Sequence, residues 1–530
     1  MSLDGFLTFF GLVLAAYAVL DPITRLRLRL NATGQVVLFA IFGTTILFFQ
    51  FILPILNILP QNVSVWFVEL GFGQPSDLMS NEKISFVLTA VWCILSLSLY
   101  SLSRPSGRKL IRLFPLVNRL YDERRYLELI ILVAPYIEQL RLYRHREHPL
   151  LKLRDWSARA GTTYLPQLVG PNRDGWNAPR ILRPGLRQFS KCLPNFTKRT
   201  FSAEAIIETV AKSPCIRREL QVHQAEFSVE FFRNFHHNTY DEFDKFIMDS
   251  MQNSDSFLRE DLRATVNTDG ETYALTPDRV TLFGFIGDID FAQQSGIWRP
   301  VGEAALKALR EDSNYISSLS EVPPFEDEDL FDDITYSAIH FFDILVTRAA
   351  VQGVQDNFWL MYVAIIVEKI LGAHDLTRVP NHYDGEFPTL GVRNIWEAQH
   401  RLQNWVELAW RLPKENSHRS PLTVEEARDV CAIPYWAAHS LCRALRAIIQ
   451  SDNVTESFKV ERLGSFVRTA SQIPRTGQSS YLRQFLANGL VVGPFDIEFD
   501  NLSVDLHELL PQTDQVYRAN FPELWAAMNV

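Results

Sequence analysis

VVLFAIFGTTILFFQFILPILNIL, residues 36–59, decides the fold class, because its 24 residues include no Asp, Glu, Lys or Arg. Roughly 20 apolar residues cover the hydrocarbon core of a bilayer, so this run predicts a membrane-spanning helix. Working outward, residues 5–20 (GFLTFFGLVLAAYAVL) are also uncharged and lead into Asp21-Pro22 and the alternation Arg25, Arg27, Arg29. They predict a second, shorter span. A cleaved signal peptide is the rival reading, but a basic leader and a small-residue cleavage site are both missing, and the positive charge follows the apolar run. On the other side, residues 84–102 carry Ser and Thr and no charge. Such hydroxyls can bond back to their own helix carbonyls in lipid, so a third span is expected there.

The flanks orient these spans. Arg25, Arg27 and Arg29 follow the first, and Arg104, Arg108, Lys109 and Arg112 follow the third, whereas residues 60–82 contain Glu69, Asp77 and Glu82 without a cation. Cytoplasmic loops are enriched in Lys and Arg, so the N-terminus and the 60–82 loop are expected outside and everything after residue 103 in the cytoplasm of a cell (inner or plasma) membrane. The absence of ionisable groups within the spans argues against a pump or transporter. Small residues such as Gly11, Ala15, Ala16, Ala40 and Gly43 would allow a homo-oligomer, and a pore lined by Thr44, Thr45 and Gln50 is the membrane-active alternative to plain anchoring.

The chain as a whole has 530 residues, 47% hydrophobic and 21% charged, with a formal charge of −9. That balance excludes a disordered tail and a surface built throughout for nucleic acid. The charge is segregated. Residues 104–159 hold 13 Lys/Arg against 6 Asp/Glu, a net of +7, and residues 160–530 hold 35 against 50, a net of −15. Four regions follow: a membrane anchor at 1–103, a basic junction at 104–159 suited to anionic headgroups, a Pro/Gly-rich linker at 160–200, and a mainly helical cytoplasmic domain at 201–530. Within the junction, residues 126–137 (YLELIILVAPYI) are too short to span and read as an interfacial or buried helix. In the body, helical periodicity covers 202–212, 217–234, 240–251, 301–311, 334–371, 393–411, 423–449 and 456–470. Short strands are expected at 271–275, 279–286 and 490–499. FWLMYVAIIV, residues 358–367, has only ten residues before Glu368 and Lys369, so it reads as a buried core helix.

Chemistry-bearing signals are sparse. Five Cys, at 93, 192, 215, 431 and 442, form no CxxC pair, and no P-loop, GxGxxG, GxSxG or HExxH occurs, so no cofactor is implied. Four constellations stand out. Arg393-Asn394-Ile395-Trp396-Glu397-Ala398-Gln399-His400 resembles the R-x4-6-H signature of HEPN-type ribonucleases over eight residues. Seven positions apart, Arg393 and His400 share one helical face. The resemblance implies a helix dimer in which the Arg steadies a scissile phosphate and the His moves a proton. His340, Asp343 and the dipeptide His374-Asp375 are similar to the ligand order of HD-type metal phosphohydrolases, which implies a hydrolytic metal pair. The closing Asp of that order is ambiguous between Asp429 and Asp452.

His236-His237 with Asp241, Glu242 and Asp244 is a weaker metal set, since adjacent helical side chains point about 100° apart. A helix start capped near Asn238 or Thr239, with acids in its first turn, explains it more simply. Residues 326–333 (EDEDLFDD) carry six carboxylates in eight positions, expected as a solvated lead-in to the next helix. The plan of a small membrane bundle with a large cytosolic helical domain resembles bacterial membrane effectors of stress or antiviral defence. The sequence therefore predicts a multi-pass protein whose helical body senses, tethers or scaffolds a protein partner at the bilayer. A membrane-held ribonuclease, the one case involving nucleic acid, and an oligomeric pore are the alternatives.

Overall fold

The computed structural model describes residues 22–47, 105–145, 149–160, 197–265, 275–323, 327–354, 359–373, 387–411, 433–476, 480–493 and 502–529, with positions 19, 91, 92, 94, 95 and 188. Helices dominate, and there is no strand among the described residues. Two compact units divide at Ile216/Arg217.

In the first unit, α1 (Pro22–Leu47) begins on a proline, whose fixed φ suits the first helical turn. Arg25, Arg27 and Arg29 therefore lie within a helix and not in a loop after the first span. That helix continues unbroken into the first half of the 36–59 run. α2 (Gly107–Asp122) buries Leu110, Leu113, Val117 and Leu120 along one stripe. α3 (Tyr126–Val133) buries Leu129, Ile130, Leu132 and Val133, and Pro135 then tightens the chain into a 3-10 turn before α4 (Ile137–Arg144). The 126–137 segment is thus a buried helix. α5 (Pro149–Ala160) follows, and α6 (Thr197–Lys212) packs across α2 and α4. Gly107 is required where α2 meets α4, because a Cβ there would lie 2.1 Å from the Tyr143 ring. The Tyr143 hydroxyl accepts a hydrogen bond from Arg199 of α6 at 3.2 Å, tying the three helices together.

The second unit is a helical array. α7 (Ala225–Phe235), α8 (Tyr240–Gln252), α9 (Phe257–Ala264) and α10 (Val280–Ile286) form one end around Phe231, Phe232, Phe243, Phe246 and Phe285, all fully buried. Residues 279–286 are thus helical where a strand was expected. The Arg279 backbone carbonyl accepts the Phe283 N–H at 2.8 Å, and Asp261 of α9 accepts the N–H groups of Thr281 and Leu282, so the first turn of α10 finds partners that favour helix over β propensity. The 271–275 and 490–499 segments lie largely outside the described residues; Leu490 and Val491 end a helix.

α11 (Trp298–Glu311) joins this end to α12 (Ile334–Val351) and α13 (Met361–Ala373). The expected single helix over 334–371 is two, broken where Gly353 and Trp359 take positive φ (73° and 50°). α12 is apolar nearly all round and is the one described helix long and apolar enough to cross a membrane, yet 83% of that span is buried inside the fold. It is a core helix. α13 is one too, burying Val363, Ala364, Ile366, Val367 and Ile370 as read from the 358–367 run. α14 (Leu390–Arg411), α15 (Ile433–Gln450), α16 (Glu456–Gln472), α17 (Tyr481–Val491) and α18 (Pro522–Met528) complete the array, with α15 packed against α13, α14 and α17.

Of the three expected spans, only parts are described: Val19 of the first, α1 as far as Leu47 for the second, and Val91, Trp92, Ile94 and Leu95 of the third.

Candidate functional site

α14 carries the Arg393/His400 pair. Thr389 caps it, its hydroxyl accepting the Val392 N–H at 3.2 Å. Spacings of three and four residues put Arg393, Trp396 and His400 on one face, as the sequence predicts. The indole occupies the middle of that face. The Arg393 guanidinium sits 4.6 Å from the Phe387 ring centroid and 5.4 Å from that of Trp396. His400 stacks on the other part of the indole, 5.0 Å between centroids at 15°, with its Nε2 3.2 Å from Asn404 Nδ2. Arg462 of α16 lies 5.7 Å over the same indole. Burial, reinforced by the neighbouring Arg401, lowers the His400 pKa and favours the neutral ring. A neutral imidazole and a guanidinium are the right groups for moving a proton beside a phosphate; here both lie against Trp396 of their own helix, and Arg462 over the same indole joins α14 to α16. The Arg393/His400 spacing does not by itself announce Trp396 as the centre of that face.

Beneath this face lies a buried ionic network. Asp343 of α12 accepts the Trp405 indole N–H at 2.6 Å and an Arg401 N–H at 2.9 Å, while Arg401 also bonds Glu397 at 2.6 Å. His340, one turn earlier, places Nε2 3.1 Å from the Thr265 carbonyl oxygen, and burial lowers its pKa. The two residues proposed as metal ligands are thus drawn into separate hydrogen bonds with protein partners. His374 and Asp375 lie outside the described residues, and among those described no group of three His, Cys, Asp or Glu side chains converges.

Asn394, the polar residue after Arg393, is wholly buried and donates to Asp333. Asp333 in turn caps α12 through the Thr335 and Tyr336 N–H groups and accepts the Tyr315 hydroxyl. The last residue of the acidic run is therefore a buried helix cap, and Asp332 beside it pairs with Arg263 at 2.6 Å. The His236 set is structural in the same way. His236 packs against Phe291 (5.0 Å), Asp244 pairs with Arg299, and Asp241 and Glu242 occupy the first turn of α8.

The basic junction has a different character. Arg108 and Arg112 are exposed on α2 with Arg119; at 100° per residue the three fall within about 40° of one another on the helix surface. Lys109 is half-buried, which lowers its pKa. Arg27 reaches from α1 to the Ile131 carbonyl of α3 at 3.4 Å, and Arg29 belongs to the same helix; Arg104 lies outside the described residues. Farther along α1 the surroundings change. Val37 and Ile41 are 52% and 54% exposed, and the hydroxyls of Thr44 and Thr45 donate to the Ala40 and Ile41 carbonyls of their own helix at 2.6 and 2.7 Å. Comparisons with protein-family models, curated proteins and solved structures find no match to this chain.

Proposed function

We propose that the protein is a membrane-anchored helical scaffold: its N-terminal segments cross the bilayer, the basic helices hold the chain to the cytoplasmic headgroups, and the acidic body serves as a docking domain for a protein partner. One observation carries this reading, the change of character along α1. Its first turns are docked by Arg27 and by buried Leu30, while its later turns expose Val37 and Ile41 and turn their hydroxyls inward. An aqueous surface gains nothing from exposed aliphatic rows on a continuous helix; a hydrocarbon surroundings makes both features favourable.

The first test is alkaline carbonate extraction of membranes containing the full chain, combined with a topology reporter fused after Val530. Retention in the pellet with the reporter active in the cytoplasm is the expected result. Release into the supernatant, or a reporter active only outside, would overturn the anchor or its orientation respectively. For the docking role, purification in mild detergent is expected to bring a stoichiometric protein with it. Cells expressing wild-type protein and the R393A/H400A double variant are expected to keep their RNA equally intact; wild-type RNA decay abolished in the variant would instead make the Trp396 face catalytic.

A further inference from the structure

A cavity of about 240 Å³ opens between α1 and α2, lined by Arg25, Leu26, Leu116, Arg119, Leu120, Glu123 and Arg125. Three guanidiniums and one carboxylate give this lining a formal charge of +2. We propose that it is a binding site for the phosphate headgroup of an anionic phospholipid, with the three leucines beside the glycerol and first acyl carbons. This inference rests on the membrane reading above and adds a ligand to it.

The turn between α2 and α3 builds the polar side of the site. Arg124 takes φ +59°, the left-handed region that costs a non-glycine residue about 1 kcal/mol. This reversal closes the helix with Arg125 N–H donating to the Leu120 carbonyl at 2.9 Å and Glu123 N–H to the Arg119 carbonyl at 2.9 Å. It brings both flanking arginines onto one carboxylate, Arg119 at 2.7 Å and Arg125 at 3.2 Å from Glu123. Those two guanidiniums hold the Glu123 carboxyl below the usual carboxylate range, the behaviour of an acid in a positive field. Arg25 adds its charge from the membrane helix. Guanidinium groups match phosphate oxygens in a two-pronged geometry. Arg125 is also held by Glu128 of α3, with its Nε at 2.8 Å, so two carboxylates share the cations of this turn.

A lipid is favoured over a soluble anion by placement. The cavity wall is shared by α1, whose sequence runs into the 36–59 span, and three of its seven lining residues are leucine. The exposed Arg108 and Arg112 lie on the same helix as Arg119 and extend the positive surface, at about 1 kcal/mol per well-placed cation near anionic headgroups.

The test uses full-length protein purified in neutral detergent, titrated separately with dioctanoyl phosphatidylglycerol, dioctanoyl phosphatidylcholine and inorganic phosphate, with binding read by native mass spectrometry. Saturable binding of phosphatidylglycerol over phosphatidylcholine is expected. R119Q and R25Q should each weaken it about tenfold, the value of one charge-assisted hydrogen bond. E123Q, which removes the carboxylate shared by Arg119 and Arg125 and leaves Glu128 on Arg125, should strengthen it severalfold, an effect that loss of folding does not mimic. Equal binding of the two lipids, or affinity unchanged in all three variants, would overturn the site. Phosphate binding as tightly as phosphatidylglycerol would assign it to a soluble anion and overturn the lipid. Carbonate extraction reports on the anchor independently, so failure of the headgroup site leaves that result standing, and the reverse.

Discussion

The two units deploy the same residue in opposite ways. In the N-terminal unit Arg108, Arg112 and Arg119 stand together on the exposed surface of α2, where their charge acts outward. In the larger unit Arg259, Arg446, Arg462 and Arg483 are all at most 4% exposed. Three of them serve the backbone. Arg259 donates to the Met251 and Phe331 carbonyls, Arg446 to those of Leu490 and Val491, and Arg483 to Ala470, Ile473 and Asn520. Helix C-termini leave carbonyls without intrahelical partners, and a guanidinium with five donors can satisfy several at once. Composition alone treats these cations as equivalent; position divides them into a surface field and internal staples.

The largest expected effect breaks a staple. Arg483, 2% exposed, also makes a two-pronged pair with Glu523, at 2.8 and 2.9 Å. Its replacement in R483M takes this donor from that carboxylate and from the Ser471, Ile473 and Asn520 carbonyls, and leaves Ala470 with the Ile473 N–H, so unfolding of the larger unit in urea should shift by about 3–5 kcal/mol. A loss under 1 kcal/mol would mean that water replaces the guanidinium and that the staple reading is wrong.

A second break uses pH. Burial, helped by the charge of Arg443, lowers the pKa of His439 in α15 to about 4 from an ordinary 6.5. The unfolded chain then binds the proton more readily than the folded one between those values, so stability falls as pH drops from about 6.5 to about 4. The contribution is on the order of 3 kcal/mol. Asp261, pushed up to about 6 by burial, works in the opposite direction over part of the same range. The comparison of wild type with H439Q isolates the histidine: thermal melts should converge toward pH 4, with the wild type losing more. Parallel melting curves across the range would show that His439 is protonated in place.

The ionic network beneath α14 gives a smaller break. D343N keeps an acceptor for the Trp405 N–H but removes the charge that faces Arg401, which is left with Glu397. A cost of about 1–3 kcal/mol is expected by denaturant unfolding. The same variant sharpens the reading of His340 and Asp343, since a metal site would show a loss of bound divalent ion that a purely structural pair does not.

The helical class, the buried 358–367 helix and the shared face of Arg393 and His400 were legible because each depends on local periodicity or run length. What was hidden depends on contacts between distant segments. RVTLFGFI at 279–286 is rich in β-formers, and only the distant carboxylate of Asp261, receiving two of its N–H groups, favours a helix. The His340/Asp343 spacing suits metal ligation, but Thr265, Arg401 and Trp405, more than 55 residues away in sequence, engage those atoms first. Asp333 looked like the tail of a solvated acidic run because nothing local announces that Tyr315 and Asn394 converge on it. Motif spacing thus locates the faces, and the partners that fill them come from segments distant in sequence.

The smallest stability effect comes from the surface arginines, and it is the one that tests the contrast between the units most directly. Arg108 and Arg112 are exposed, so R108Q/R112Q should change unfolding by less than about 1 kcal/mol, the usual range for exposed charged side chains and their ion pairs. Their outward role should respond instead. Each cation near an anionic surface contributes about 1 kcal/mol, so the double variant should lower the affinity of the junction for anionic over neutral bilayers by roughly tenfold to thirtyfold. The measurement is a pair of assays on one preparation: a melting curve of the full chain, and protection of the 104–122 region from protease in nanodiscs with and without phosphatidylglycerol. Protection that depends on phosphatidylglycerol in the wild type and not in the variant, with melts unchanged, would place the two arginines in the field and outside the fold. A melt lowered as far as that of R483M would erase the distinction, because arginine would then stabilise the interior of each unit separately in the same way.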